Sequence, residues 1–371
     1  MLSYNVDFFN RQLVNIHHDT AGDINISDDY ISFQNNTLTI RYTSVNLQDA
    51  YIHITREGYK YFGVVVSAEP DDENMLKVTY KNFLSIFNED ILFDTDLQLK
   101  NTTVSGISGK TNSKSLERML KDLIDVTYVT NEDVLQRLHI NVADATSTRP
   151  WGFNLITDTE GQHYCIIGLY SVLIVNAMKK YGVGIFVEPD FLDKTITLRI
   201  ANTSRQDVFN IDGDLPNVSV KTLKINDRPR GVNKLTVYNT EDYTEHIDFF
   251  VYEDRTWGIE NRSRITPVVR DVRGAMPDST IPDAATAFAL AAVDVAYGVL
   301  SGLEWDNLIE LEMAFNDPLI RPMELEFGQT INFRYKGNTY TSILTGRNIS
   351  SKSVTLIFGS ERIRLTKRFT R

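Results

Sequence analysis

The chain has 371 residues, too many for one ordinary hydrophobic core, and this length predicts roughly two to four domains. Apolar residues make up 42% and charged residues 23%, a globular balance that excludes disordered, collagen-like and membrane classes. The net charge of −11 disfavours general nucleic-acid binding, and a single cysteine excludes a disulfide framework and fits a reducing cytoplasm. No signal peptide and no membrane-spanning run of about 20 apolar residues is expected.

Residues 1–100 are predicted to be almost entirely strand. Short β-branched runs such as ISFQNNTLTIRY and YIHITREGYKYFGVVV alternate with polar turns. This pattern predicts a first antiparallel β-barrel. A Gly-, Ser- and Thr-rich connector follows over 101–115.

The next region, 101–215, is predicted to be an α+β domain with three helices. They are expected near 115–126, from apolar spacing, near 130–138, from a Thr–Asp capping box, and near 164–181, where the chain is apolar almost all round. A β-hairpin is predicted after the third helix.

The remaining chain predicts a second β-barrel with an insertion. Strand patterns over 216–240 and 303–371 form the barrel, and 241–302 form an inserted domain with an Ala-rich helix. Small residues along that helix indicate close packing against a neighbouring element. The predicted fold is therefore α+β and β-rich, with two similar antiparallel barrels separated by an α+β domain.

A repeat links the two predicted barrels. IHITREGYKYFGVVV at 52–66 matches INFRYKGNTYTSILT at 331–345 at one offset (337 − 58 = 279), and LKVTY at 76–80 matches VTLIF at 354–358 after one extra residue. The matched positions are Ile52, Ile54, Gly58, Tyr61 and Val64 in the first copy and Ile331, Phe333, Gly337, Tyr340 and Ile343 in the second. A trimer of such a chain presents six similar modules, which suggests an adaptor in a symmetric assembly.

Two catalytic patterns are incomplete. GISGKT at 106–111 resembles a phosphate-binding loop, but Val104 stands where the first glycine is required, so a flexible connector is favoured. His163 and Cys165 could form a thiol hydrolase site, yet they lie at the start of the predicted apolar helix, and a buried cysteine is favoured. No catalytic residue is assigned.

Two groups of residues carry side chains that bind metals in other proteins, but each has an ordinary structural explanation. His17, His18 and Asp19 lack the spacing of a metal motif, and a polar loop is favoured. Asp212, Asp214 and Asn217 carry the oxygen ligands that Ca²⁺ prefers, but ordinary turn chemistry explains them. No cofactor is expected, with Ca²⁺ as the alternative.

The domain layout resembles a known family. Together with NKLTVYN at 233–239, the module at 331–345 and VTLIFGSERIRLTKRF at 354–369, it is similar to the baseplate hub of contractile-tailed phages and the N-terminal hub region of siphophage tail-associated lysins. The size most resembles the short tail-tip baseplate proteins of lactococcal siphophages.

The resemblance implies a non-enzymatic homotrimer at the distal tail tip of a virion. It would lie beneath a hexameric distal tail protein, with the ten matched module residues as candidate ring-facing interface, and would close or gate the channel for DNA release. Implied partners are other baseplate or receptor-binding proteins, the tape-measure protein and transiting DNA. Because the chain stops after the second barrel, no wall-degrading domain is expected. The alternatives are a cell-wall hydrolase and a saccharide- or receptor-binding protein that uses aromatic side chains such as Trp257.

The last residues are basic. GSERIRLTKRFTR predicts either a solvated tail or a contact with an acidic neighbour or DNA. The candidate contact residues are Arg362, Arg364, Lys367, Arg368 and Arg371.

Overall fold

The structure is a computed structural model. Except for positions 23, 57 and 73, it describes residues 3–94, 116–130, 138–143, 164–203, 208–225, 233–252, 257–262, 269–277, 281–300 and 307–359. Within these ranges strands dominate and helices are few, so the predicted β-rich α+β class is confirmed.

The first sheet has six strands in the order β2-β1-β5-β6-β7-β4, and every ladder in it is antiparallel. Its strands are β1 (Tyr4–Phe9), β2 (Asn15–Ala21), β4 (Asn36–Arg41), β5 (Tyr51–Arg56), β6 (Tyr59–Asp72) and β7 (Met75–Asn82). Burial along β4 alternates strictly between buried and exposed, because successive strand side chains point to opposite faces. A 3₁₀ turn at Phe83–Phe87 ends this part of the chain.

The first sheet curls until its two edge strands meet. The Asp19 carboxylate on β2 accepts the backbone N–H of Arg41 at 2.8 Å and its guanidinium Nη2 at 2.8 Å. Burial alone would raise the pKa of Asp19, but the hydrogen bonds from Arg41 hold it below the usual value. The curled sheet therefore approximates the predicted barrel, with side chains rather than a ladder joining β2 to β4.

The second sheet has the order β13-β20-β21-β22-β19-β14. Its strands are β13 (Phe209–Asp212), β14 (Ser219–Lys224), β19 (Leu308–Ala314), β20 (Thr330–Tyr335), β21 (Asn338–Ile349) and β22 (Ser353–Phe358). One ladder departs from the antiparallel prediction, because β13 pairs with β20 in parallel. β13 lies in the span predicted for the α+β domain, so the second sheet begins earlier than the predicted boundary at 216.

The part of the chain from Asp90 to Asn202, which we call the middle region, contains two small sheets and several helical segments. β8 (Asp90–Asp94) pairs with β10 (Tyr164–Gly168), and β12 (Thr195–Asn202) lies between β11 (Val183–Asp190) and β9 (Ile140–Val142). The helical segments are α1 (Leu116–Ile124) and the π-helical segments Asp125–Val129, Leu169–Ile174 and Ala177–Tyr181.

Of the helices predicted in this region, one begins later in the structure and one lies largely outside the described residues. The helix expected over 164–181 begins only at Leu169, because its first five residues form β10. A short apolar run such as YCIIG fits a buried strand as well as a buried helix, and pairing with β8 decided between them. The helix expected near 130–138 falls largely on residues 131–137, outside the described chain.

The inserted unit is a four-stranded sheet covered by one helix. Its order is β17-β16-β15-β18, formed by β15 (Lys234–Asn239), β16 (His246–Val251), β17 (Trp257–Gly258) and β18 (Arg270–Ala275), with α2 (Ala284–Leu300). This helix is rich in alanine, and its buried residues Phe288, Ala292 and Ala296 recur every four positions on one face. The predicted bounds place β15 in the second barrel, but β15 pairs with β16 and β18 and belongs to this unit.

Buried side chains form three apolar clusters. One cluster contains Ile54 of the first sheet together with Leu311 and Phe333 of the second, so the two sheets share a core. A second cluster joins the first sheet to the middle region, and a third lies between α2 and the inserted sheet. The half-buried Trp257 packs edge-on against Phe249 in this third cluster, with ring centroids 5.7 Å apart.

Candidate interaction site: the seam between the two modules

The predicted repeat is present as two β-meanders with one register. We call β4 to β7 module 1 and β19 to β22 module 2. Ile54 pairs with Tyr61 in module 1, and Phe333 pairs with Tyr340 in module 2. Both partners shift by the same number of residues (333 − 54 = 279 and 340 − 61 = 279). The two meanders are therefore equivalent strand by strand.

Each module turns its first hairpin on a glycine in the left-handed region. Gly58 has φ +72° and Gly337 has φ +79°. No atom lies within 4 Å of a Cβ built at either position, so packing does not require glycine there. The backbone conformation does, because L side chains rarely adopt it.

A β-bulge interrupts both modules at the same place. The register of β6 on β7 shifts between Val65 and Ser67, and that of β21 on β22 shifts between Leu344 and Gly346. The positions again differ by one offset (344 − 65 = 279 and 346 − 67 = 279). A second shift further along β6 accommodates the extra residue of module 1. Bulges re-aim a strand locally, so both modules bend alike.

The ten matched residues do not form one surface. Six of them are buried in the chain's own core: Ile52, Ile54, Tyr61, Ile331, Phe333 and Ile343. A ring partner cannot contact these six side chains, so the prediction that all ten face a ring is wrong for them. Val64 and Tyr340 are half-buried, and Gly58 and Gly337 are exposed at the turns.

One strand crosses from the first part of the chain to module 2. β3 (Ile26–Asp29) precedes β4 in sequence, yet it pairs antiparallel with the end of β21, from Gly346 to Ile349. The contact continues into the next residue, because the N–H of Tyr30 donates to the carbonyl of Thr345 at 3.0 Å. We call the joint between the two sheets the seam.

Two opposite charges are buried in the seam. Asp28 and Arg347 stand opposite each other in the β3–β21 ladder, and both are buried. Asn82 donates to the Asp28 carboxylate at 2.9 Å. Burial raises the pKa of Asp28 to about 6, although Arg347 opposes the rise, and burial lowers the pKa of Arg347. Removal of one of these charges leaves the other buried without an opposite charge, which is strongly destabilising. The stability of each sheet therefore depends on the other.

Arg56 of module 1 contacts module 2 through two hydrogen bonds and one aromatic ring, and we call this set of contacts the Arg56 clasp. Arg56 Nη1 donates to the carbonyl of Ser351 at 2.8 Å and to the Tyr4 hydroxyl at 2.9 Å. Its guanidinium lies 4.2 Å from the Phe315 ring centroid. The Tyr4 hydroxyl in turn donates to the carbonyl of Ser350 at 3.1 Å. A planar guanidinium suits this combination of hydrogen bonding and stacking, which ties the β5 hairpin to the β21–β22 turn.

Tyr30 connects the seam to the middle region. Its buried hydroxyl accepts the backbone N–H of Ile185 at 3.0 Å, and its carbonyl accepts the Tyr170 hydroxyl at 2.5 Å. Burial raises the pKa of Tyr30, so its hydroxyl stays neutral. β3 and Tyr30 together therefore hold both sheets and the middle region in one arrangement.

Sequence reasoning missed the residues of this seam. Asp28, Arg56, Phe315 and Arg347 belong to no motif, because strand exchange between segments hundreds of residues apart leaves no local pattern. A usable signal was the mismatch between copies: Arg56 aligns with Tyr335 at the repeat offset.

The other candidate sites have ordinary structural roles where they are described. His17, His18 and Asp19 lie in strand β2, so the predicted polar loop is wrong, and His18 Nδ1 lies 2.8 Å from Asp7 Oδ1. Asp212 and Asp214 form turn hydrogen bonds, the latter accepting the Lys336 backbone N–H at 3.1 Å. Across the described ranges, no group of three or more His, Cys, Asp or Glu side chains is arranged to hold a metal.

Several predicted features lie outside the described residues. These are the GISGKT connector at 106–111, His163 and the basic residues from Arg362 to Arg371. Cys165 is described as part of β10 rather than a helix. Among the helices of the described chain, none is both long and apolar enough to cross a membrane.

No family model and no curated protein matches the sequence. Among solved structures, the chain is similar to the tail protein from Neisseria meningitidis MC58, with 11% identity, a TM-score of 0.49 and coverage of 97% of each chain. It is similar to a chain of the phage P2 baseplate in its activated conformation with Ca, with 14% identity, a TM-score of 0.46 and coverage of 96% and 98%. It is also similar to the 43 kDa tail protein of prophage MuSo2 from Shewanella oneidensis, with 13% identity, a TM-score of 0.47 and coverage of 96% and 97%. Similarities of this size establish no shared activity.

Proposed function

We propose that the chain is a structural hub of a phage tail baseplate. Three copies assemble at the distal tail tip and present their modules to a hexameric ring of the tail. The observation that carries this proposal is the repeat: two modules with one strand register, one turn geometry and one bulge position lie side by side across a seam.

A repeated module solves a symmetry problem. Closed homo-oligomers bury the same patches at every equivalent contact. Three chains that each carry two equivalent modules offer six similar faces, so a sixfold ring can meet a threefold hub. The middle region and the inserted unit then close the channel beneath the ring and separate when DNA leaves. This role needs binding surfaces and no catalytic group.

Mass measurement tests the assembly. Purified full-length chain in light scattering or native mass spectrometry is expected to have three times the 42.3 kDa mass of one chain. Mixed with the hexameric tail ring, it is expected to form a complex of one trimer on one ring. A chain that stays monomeric at micromolar concentration, with and without the ring, would contradict the proposal. Loss of turbidity in a cell-wall suspension would favour the hydrolase alternative instead.

A further inference from the structure

The two modules expose one equivalent position very differently. Tyr42 and Phe315 each follow the matching strand, β4 or β19, and each donates its backbone N–H to the adjacent turn. Tyr42 donates to Asn74 at 2.8 Å, and Phe315 donates to Lys352 at 3.2 Å. Phe315 is 6% exposed because it lies under the Arg56 clasp, whereas Tyr42 is 57% exposed. The surface that module 2 buries is open on module 1.

The neighbouring strand edge shows the same asymmetry. In module 2 the edge of β21 beyond the bulge is paired with β3. The equivalent edge of module 1 is Ser67–Pro70 on β6, and no strand within the described ranges pairs with it on that side. Val66 is 44% exposed, while its counterpart Thr345 is fully buried. Unpaired strand edges readily accept another chain.

Module 2 carries the counterpart of the clasp. Tyr335 occupies the position of Arg56 at the tip of the β20–β21 hairpin (335 − 56 = 279). Arg334 and Lys336 beside it are exposed, and Lys336 Nζ lies 5.0 Å from the Tyr335 ring centroid. This hairpin tip combines an aromatic ring, Tyr335, with a cation, Lys336. The contact that covers Phe315 combines the same two kinds of group, the Tyr4 ring and the Arg56 guanidinium.

We propose that the open face of module 1 receives module 2 of a second copy, so that the seam within each chain is repeated between chains. This inference rests on the proposed trimer and names its contact surface. In the repeated seam, Tyr335 and Lys336 of one copy cover Tyr42 of the next. The exposed Glu69 and Asp71 on the open face complement the cationic tip.

The two faces differ, so the contact is head-to-tail. A head-to-tail contact gives a closed ring when its rotation closes and an open filament when it does not. Three chains close a ring of six modules when both the contact within a chain and the contact between chains rotate one module by about one sixth of a turn relative to the next. Acidic Asp214 beside Lys336, and Lys77 opposite Glu69, reduce the charge contrast, so the aromatic contact and the strand edge contribute most. Pro70 has no N–H and ends the available edge.

A point substitution tests the aromatic contact. Tyr42→Arg is expected to raise the protein concentration needed for half-maximal trimer formation by roughly tenfold or more, because buried aromatic side chains dominate interfaces. The matched control is Tyr243→Arg, on the separate inserted sheet, where the tyrosine is 74% exposed. Equal trimer stability of wild type and Tyr42→Arg, or equal weakening by both variants, would overturn the assignment. Circular dichroism checks that each variant is folded.

A disulfide test identifies the two faces. Cys165→Ser removes the only native cysteine, and Asp71→Cys and Lys336→Cys are then placed on separate chains. The two reduced preparations are mixed, allowed to exchange subunits and then treated with an added oxidant, which takes two electrons and two protons from the paired thiols. The mixture is expected to give a covalent dimer on a reducing-agent-free gel, while neither chain alone gives one. Amide exchange at Ser67–Glu69 is expected to slow when the trimer forms. A trimer without the mixed disulfide and without this protection contradicts only the assigned surface, whereas a monomeric wild type contradicts the hub itself.

Discussion

Modules 1 and 2 share a backbone plan and differ in what covers them. Both place a glycine at the same turn and a bulge at the same strand position. Yet Phe315 is buried under a neighbour, whereas its counterpart Tyr42 is exposed. Turn and ladder geometry constrain every copy of a module in the same way. A surface needs only to match its own neighbour, so surface residues diverge between copies while the register persists.

The largest expected effect comes from matched core positions. Ile54→Ala and Phe333→Ala remove buried side chains from the same cluster, which contains residues of both sheets. Each is expected to lower the unfolding free energy by about 2–5 kcal/mol, the usual cost of such truncations. Because the core is common, both variants should shift the same transition in urea, followed by circular dichroism.

An exposed position supplies the control for that pair. Val272→Ala, at a side chain that is 59% exposed, is expected to change stability by less than about 0.5 kcal/mol. Two separate transitions, of which Phe333→Ala moves only one and Ile54→Ala only the other, would show that the modules fold independently.

A smaller effect is expected from Asp28, which lies in the strand that covers the edge of module 2 and should make the stability of the fold depend on pH. The pKa of Asp28 rises from 3.8 to about 6 because the group is buried. Its folded pKa lies above its unfolded value, so its contribution to stability is fully present below about pH 4 and is lost as the pH rises through 6. Relative to Asp28→Asn, the wild type should therefore gain about 2–3 kcal/mol between pH 7 and pH 4.

The comparison with Asp28→Asn removes the other carboxylates from that measurement. Several of them, including Asp317 and Asp248, have lowered pKa values and destabilise the fold as the pH falls. Only the difference between the two unfolding curves reports Asp28. A difference that stays constant from pH 7 to pH 4, or that falls, would show that the carboxylate is not desolvated in the seam.

The smallest effect is expected at the two turns. Gly58→Ala and Gly337→Ala should each cost about 1–2 kcal/mol, since both glycines have positive φ and the surrounding space is open. Equal losses from thermal unfolding would confirm that the turns are equivalent. Asn tolerates this conformation better than Ala, so Gly58→Asn and Gly337→Asn should lose less. A loss at only one of the two positions would contradict the equivalence of the hairpins.

Local patterns accounted for much of this molecule. The constant offset of the repeat anticipated the shared register of Ile54–Tyr61 and Phe333–Tyr340. The regular spacing of small apolar residues anticipated helix α2. Boundaries were less accurate. The apolar run from Tyr164 formed a strand because β8 was available to pair with it, and β15 joined the inserted sheet because its partners lie there.

The sequence by itself determined the β-rich class, the duplication and the glycine at each hairpin. These follow from side-chain periodicity and local backbone preference, which act over a few residues. Only the tertiary structure decided that β3 crosses to β21, that Asp28 meets Arg347 and that Arg56 covers Phe315. Such contacts join residues about 260 to 320 positions apart, and their free energy depends on how whole sheets pack, which no local pattern records.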